Sequence, residues 1–224
     1  MNVLRKEKLS GFEWYHSEAT PEQRKLSDRI IELSDFFEDM RFEAGTATQE
    51  LMKCQAYDED TKEWEDYYLD PPDEVAFFQY SWFALTVKPL DDCDGYFNPE
   101  KQELCIPPDA LDDDPTILHE MIHLHEYVYD CAPRFCHDMA FWGLYTHLRA
   151  RIPKLDEIIS TNACMLLQET IYKSGGEHDI LFLLKSFDLD IRKGYPLGTV
   201  FAYGKSDELK EYTYTAEPRS TDFT

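Results

Sequence analysis

Apolar residues recur at helical spacing through much of this 224-residue chain. Residues at i, i+3, i+4 and i+7 lie on one face of a helix, so this spacing predicts helices that pack one face into a core. In the first of them, a Thr-Pro pair at residues 20–21 gives a start signal. Helices are predicted at residues 20–42, 46–57, 114–130, 137–150, 155–172 and 178–187.

Short runs rich in β-branched and aromatic residues predict a small sheet before the central helix. Residues 83–87 fit a buried strand, and residues 95–97 and 103–106 flank a turn as a hairpin. Residues 199–203 fit a late strand. Residues 58–74 are crowded with carboxylates and contain a Pro-Pro pair, which predicts a solvated acidic loop.

The helix predicted at residues 114–130 contains the sequence His119-Glu120-Met121-Ile122-His123. Residues four apart lie one above the other on a helix, so His119 and His123 can bind the same metal ion. Glu120 lies about 100° round the helix and can act on a metal-bound water. Asp114 and Pro115 are predicted to provide the N-cap and the first-turn proline. This H-E-x-x-H pattern is that of zinc peptidases.

The charge of the chain narrows the class of partner. It has 22 Lys and Arg residues against 45 Asp and Glu residues, which gives a formal net charge of −23. The negative electrostatic field of such a chain repels phosphate backbones and favours neutral or cationic partners, so nucleic-acid binding is not expected. With 43% hydrophobic residues the chain can form a sizeable core.

The chain shows no secretory or membrane-spanning pattern, so we expect a soluble, cytoplasmic protein that does not bind membranes. The basic residues at positions 1–8 are not followed by an apolar run, and the longest apolar run, residues 75–87, is too short to span a bilayer. The six cysteines include no C-x-x-C pair and are predicted to be reduced thiols. We expect one domain at residues 1–204, with its core at 84–150 and helical extensions at 1–74 and 151–204, followed by a flexible tail at 205–224.

A catalytic zinc needs a third protein ligand and an open position. The metzincin spacing is absent, because Glu126 and Tyr129 occupy the positions where that pattern has glycine and histidine. His137 is the favoured third ligand, since a short proline-containing link can bring it back from the end of the metal helix. His147 and His178 are interpreted as ordinary surface or core histidines.

Two carboxylates remain as alternative third ligands. A gluzincin-like site would use Glu157 or Glu169 from a later helix in place of a third histidine. On the metal helix itself, Glu126 and Asp130 fall close to the histidine stripe and can orient the metal-binding histidines without binding the metal themselves. The competing interpretation is that both are ordinary surface carboxylates. His125 points away from this stripe and is predicted not to be a ligand.

The H-E-x-x-H sequence, followed by His137 and by Phe141 four residues later, resembles the SprT-like zinc metallopeptidases. The resemblance covers about residues 84–150. It implies His119, His123 and His137 as zinc ligands and Glu120 as general base. The chain departs from the family pattern at Asp138, where a glycine is expected, and it lacks the family's C-terminal zinc ribbon.

These observations together predict an α+β, zincin-like fold, mostly helical, with a small mixed sheet before the metal helix. The predicted function is zinc-dependent hydrolysis of peptide bonds, with Glu120 as general base and a peptide or protein as substrate. In zinc peptidases the strand before the metal helix commonly borders the cleft, so residues 104–106 are expected to pair with substrate, or else to form an ordinary sheet edge. The alternative function is a regulatory or binding module with a structural zinc.

Overall fold

The computed structural model describes residues 19–37, 53–58, 62–68, 83–91, 93–131, 134–160, 178–201 and 207–215. The helices are α1 (Pro21–Ser34), α2 (Asp114–Cys131), α3 (Arg134–Arg149), α4 (Ile180–Lys193) and α5 (Asp207–Lys210). Residues 155–160 are also helical. The strands are β1 (Lys53–Asp58), β2 (Glu63–Tyr68), β3 (Ala84–Val87), β4 (Tyr96–Asn98) and β5 (Glu103–Ile106). The predicted α+β class, mostly helical with a mixed sheet before the histidine helix, is confirmed.

The three-stranded sheet has the order β3-β5-β4. Strand β3 runs parallel to β5, and β4 pairs with β5 in the antiparallel direction, as the predicted hairpin requires. Because β5 is central, both of its backbone edges are already paired. The expectation that residues 104–106 offer a free edge to a substrate is therefore wrong, and β4 forms the edge on that side of the described sheet.

Three predictions of secondary structure are corrected. Residues 53–57, predicted as the end of a helix, belong to β1, and residues 63–68 of the predicted acidic loop form β2. The two strands pair in register from Lys53↔Tyr68 to Asp58↔Glu63, around a turn in which Lys62 has a φ of 61°. Tyr and Trp residues favour strands, which outweighs the acidic composition. Residues 199–201, predicted as a strand, form turns.

Helix α1 begins as its sequence predicts. The backbone N–H of Gln23 donates to Thr20 Oγ1 at 3.2 Å, and the backbone N–H of Thr20 donates to Gln23 Oε1 at 3.0 Å, which completes a capping box. The same Gln23 side chain donates from Nε2 to the carbonyl of Leu85 at 2.9 Å. One residue thus both caps α1 and fixes it to β3. The part of this predicted helix beyond residue 37 lies outside the described residues.

Helix α2 begins one residue earlier than predicted, because Asp113 and not Asp114 occupies the N-cap position. The Asp113 carbonyl accepts from the N–H of Ile117, and its carboxylate accepts from the Thr116 hydroxyl. Asp114 lies in the first turn, where it forms ion pairs with Arg29 of α1 and with Lys193 at the end of α4. A single carboxylate therefore joins three helices at the start of the histidine helix.

In the part of the chain that the structure describes, two hydrophobic clusters form the interior, and α4 contributes to both. The first cluster joins α1, α2, β3 and β5 with Phe182 and Leu189 of α4. The second joins α3 and residues 152–158 with the opposite face of α4. Leu209 is buried in the second cluster, with Tyr212 packed against it, so residues 207–215 of the predicted tail belong to the packed fold. Every residue from 181 to 191 is buried, which makes α4 the central helix of the described structure.

Candidate metal centre

Helix α2 presents His119 and His123 one turn apart, as the sequence predicts. His119 is 1% exposed, and its ring centroid lies 5.0 Å from that of His123. The remaining faces of the helix carry apolar residues that enter the first hydrophobic cluster, namely Ile117, Leu118, Met121, Ile122 and Leu124. Packing of these faces fixes the rotation of α2 and turns both imidazoles toward the start of α4.

A third imidazole comes from His178, which the sequence alone indicated to be an ordinary surface or core histidine. Its ring centroid lies 5.0 Å from that of His119 and 5.0 Å from that of His123, so the three rings form a nearly equilateral triangle. One ligand nitrogen from each of the three lies within 4.8 Å of the others. His178 immediately precedes Asp179, whose carboxylate accepts from the N–H of Phe182 and caps α4. The cap fixes where α4 begins and thereby the place of His178.

The tautomer of His119 follows from its hydrogen bond. Its Nδ1 lies 2.9 Å from the carbonyl oxygen of Val200, and since a carbonyl can only accept, Nδ1 carries the hydrogen. In the neutral ring Nε2 then holds a lone pair, and it lies 3.0 Å from Nε2 of His178. Two facing ring nitrogens at this distance must share either a proton or a cation. A nitrogen of His123 lies within 4.8 Å of both, and one metal ion can bind all three rings, whereas one shared proton joins only two.

The donor set also fits zinc by distance. Ligand nitrogens about 2.0–2.1 Å from a tetrahedral zinc lie about 3.3 Å from one another. The separation of 3.0 Å between the ring nitrogens of His119 and His178 is close to this value. Three neutral imidazoles leave the charge of the metal undiminished and one coordination position open.

Burial keeps these histidines neutral. The pKa of His119 is lowered to about 3, chiefly by desolvation and also by the nearby His178, although the hydrogen bond to the carbonyl of Val200 opposes the shift. Desolvation, followed by the charges of His119 and His178, lowers the pKa of His123 to about 2. A neutral imidazole is the form that binds a metal, so the pair requires no deprotonation at neutral pH.

Phe182 covers one side of the triangle. Its ring centroid lies 4.8 Å from that of His119, 4.7 Å from that of His123 and 4.7 Å from that of His178. The ring is completely buried and lies one turn into α4. An apolar ring in contact with all three imidazoles excludes water from that side and restricts their rotation. Any further ligand must approach from another side.

Glu120 lies beside this triangle, against the start of β4. The side chain is 1% exposed, and a Cβ atom added to Gly95 would fall 2.8 Å from Glu120 Oε1 and 2.9 Å from its Cγ. The carboxylate therefore occupies space that only a glycine leaves open. Glu120 is not one of the three clustered ligands, in agreement with a role other than binding the metal.

Three further residues of α2 were predicted either to orient the metal ligands or to lie away from the metal. Glu126 Oε2 lies 3.8 Å from His123 Nδ1, a separation longer than a hydrogen bond. His125 is buried against Phe37, away from the cluster, as predicted for a non-ligand. The side chain of Asp130 lies outside the described residues.

The structure describes the side chains of some of the predicted third ligands and not of others. The backbone of His137 belongs to α3, but its side chain lies outside the described residues, so its role as a ligand stays a prediction. Glu157 is about half exposed and its carboxylate lies 3.3 Å from Lys154 Nζ, so the gluzincin-like alternative that used it is wrong. Glu169 lies outside the described residues. His147 is near Asp188, with 3.8 Å between its Nε2 and a carboxylate oxygen, and does not join the cluster.

Comparisons with known proteins identify no relative, since no protein-family model, curated protein or solved structure matches the chain. Within the part of the chain that the structure describes, no helix is both long and apolar enough to cross a membrane.

Proposed function

We propose that this protein is a zinc-dependent metallopeptidase whose metal ligands are His119, His123 and His178. The observation that carries the proposal is the convergence of three imidazoles, His119 buried and His123 and His178 partly buried, beside Glu120 in the H-E-x-x-H register. Bound zinc supplies a Lewis acid that lowers the pKa of a water molecule and polarises a carbonyl group. Three protein ligands are the number found in catalytic zinc sites, whereas structural sites usually have four.

Glu120 is the general base in this proposal. A carboxylate oxygen of Glu120 accepts a proton as the water oxygen attacks the scissile carbonyl carbon, and it then passes that proton to the leaving nitrogen as the C–N bond breaks. Its burial against Gly95 holds the carboxylate in one position and limits access of bulk water. The phenyl ring of Phe182 prevents the imidazoles from turning away from the metal.

The substrate class rests on charge and on the chemistry of the site. The net charge of −23 favours neutral or cationic peptides over nucleic acids, so we propose a peptide or protein substrate and no nucleic-acid partner. The finer relationship, to SprT-like peptidases, is supported by the H-E-x-x-H sequence and by the spacing of His137 and Phe141. That relationship requires His137 at the metal, which distinguishes it from the ligand set proposed above.

The test is Glu120→Gln, measured by zinc content and by hydrolysis of a peptide library. Zinc should stay at about one ion per chain, while hydrolysis should fall by about 100-fold to 10,000-fold because only proton transfer is removed. Glu157→Gln changes a half-exposed carboxylate outside the cluster, so it is the matched control and should retain most activity. Undiminished hydrolysis by Glu120→Gln, or zinc bound without any hydrolysis by the wild type, would contradict the proposal and favour a binding module.

A further inference from the structure

Helix α4 ends in a turn that reaches back to the metal centre. The chain reverses at Gly194, which has a φ of 72°, and runs through residues 195–201 toward His119. Gly198 has a φ of 83°, and a Cβ there would lie 2.6 Å from Cβ of Leu209. The turn is therefore confined on one side by the second hydrophobic cluster. Its carbonyl at Val200 accepts the hydrogen bond from His119 Nδ1.

Asp190 holds this turn from inside the protein. It is completely buried on α4, and its Oδ2 accepts from the backbone N–H of Gly198 at 2.7 Å. Its Oδ1 accepts from the backbone N–H of Val200 at 3.0 Å. The carbonyl of Asp190 also accepts from the N–H of Tyr195 at 2.8 Å, at the beginning of the turn. One residue thus binds the turn at three backbone positions.

We propose that Asp190 is a positioning residue for the metal centre, acting through Val200 to fix the tautomer and the ring orientation of His119. The relay runs from the carboxyl group of Asp190, which accepts from the N–H of Val200, to the Val200 carbonyl, which accepts from Nδ1–H of His119. With the hydrogen held on Nδ1, the lone pair on Nε2 faces His123 and His178. The expected effect on metal binding rests on the proposed function, but the tautomer of His119 can be measured in the metal-free protein.

Helix α4 consequently organises the site at two points. His178 stands just before its N-cap, and Phe182 packs against all three rings from its first turn. Asp190, about two turns further on, fixes the backbone carbonyl that orients the first histidine of α2. A metal-binding histidine is commonly oriented by a partner on its second ring nitrogen, and removing such a partner typically weakens metal binding by about 10-fold to 100-fold.

The test compares Asp190→Asn with Asp188→Asn. An amide has one oxygen and one NH₂ group, so Asp190→Asn leaves at least one of the two backbone N–H groups without its acceptor. Asp188 is also buried on α4, but its carboxylate faces Arg192, Lys185 and His147, and not the turn. The control therefore alters a buried acidic side chain of the same helix without touching the relay.

Two readouts separate positioning from a general loss of stability. In the metal-free wild type, long-range ¹H–¹⁵N spectra of the imidazoles should show His119 as the Nδ1–H tautomer, and Asp190→Asn should give a mixture of tautomers. Zinc affinity, measured against a competing chelator, should fall by about 10-fold to 100-fold for Asp190→Asn and by less than about 3-fold for Asp188→Asn. Equal losses in the two variants, or an unchanged tautomer in Asp190→Asn, would overturn the inference.

The wild type alone also tests the relay if Asp190→Asn does not fold. The amides of Gly198 and Val200 should be protected from hydrogen exchange, and His119 should hold its hydrogen on Nδ1. Fast exchange of both amides, or an Nε2–H tautomer, would overturn the role of Asp190 even if zinc binds. Absence of zinc binding in the wild type would instead refute the proposed function, and the tautomer would still decide whether Asp190 positions His119.

Discussion

The Cα of Gly95 faces the carboxylate of Glu120 so closely that a methyl group there would lie 2.8 Å from Oε1. Real Cβ atoms do not approach an oxygen so closely, so a larger residue must displace either β4 or Glu120. Glu120 is completely surrounded and cannot simply swing into solvent. The backbone of β4 and the proposed general base therefore depend on each other for their positions.

We expect Gly95→Ala to lower hydrolysis by at least about 10-fold while zinc content stays at that of the wild type, because proton transfer depends on the position of the carboxylate. The free energy of unfolding should also fall by about 1–3 kcal/mol through overpacking. In a Glu120→Ala background the same change should cost less than about 0.5 kcal/mol, since the atoms in conflict are gone. An equal cost in both backgrounds would show that Gly95 is required for another reason.

The third ligand is tested by comparing His178→Ala with His137→Ala. Losing a residue that only hydrogen-bonds to a ligand weakens metal binding by roughly 10-fold to 100-fold, and losing a ligand itself should weaken it more. His178→Ala should therefore lose most of its zinc to a chelator. His147→Ala removes a half-buried histidine outside the cluster and serves as the control. Loss of zinc in His137→Ala, with retention in His178→Ala, would reverse the assignment and support the SprT-like ligand set.

The ion pairs of Asp114 predict how stability depends on pH. Burial raises the pKa of Asp114, but Lys193 and Arg29 outweigh that effect and hold it below the ordinary value of 3.8. A depressed pKa stabilises the fold above the unfolded value of 3.8, and this contribution is lost as the pH falls through the lower, folded value. The metal-free protein should be used, because acid also releases a metal from histidines.

Asp114→Asn should lower the free energy of unfolding by about 1–3 kcal/mol at pH 7, since a part-buried carboxylate loses two charged partners. The difference from the wild type should shrink below pH 3.8, where Asp114 of the unfolded chain is already protonated. Asp112→Asn is the control, because Asp112 is 80% exposed in its pair with Lys25 and should change stability by less than about 0.5 kcal/mol. Urea titrations between pH 3 and pH 7 measure both, and a difference independent of pH would refute the ion-pair explanation.

The elements predicted from the sequence are those whose signals are local. Thr20 and Gln23 form a capping box within one turn, and the hairpin of β4 and β5 closes over a short turn. The register of His119 and His123 is set by helical geometry alone, so the pair could be recognised before any packing was known. Local signals failed at β1 and β2, because pairing between the two strands outweighed the acidic composition.

The sequence by itself determined the helix that carries His119, Glu120 and His123, together with the chemistry that these side chains can perform. Only the tertiary structure decided that His178 completes the triangle, because 59 residues separate it from His119 and no spacing rule spans that distance. The same holds for the carbonyl of Val200, which is 81 residues from His119 in sequence. Contacts of this range depend on how α2 and α4 pack into shared hydrophobic clusters, and packing is a property of the whole fold and not of a local pattern.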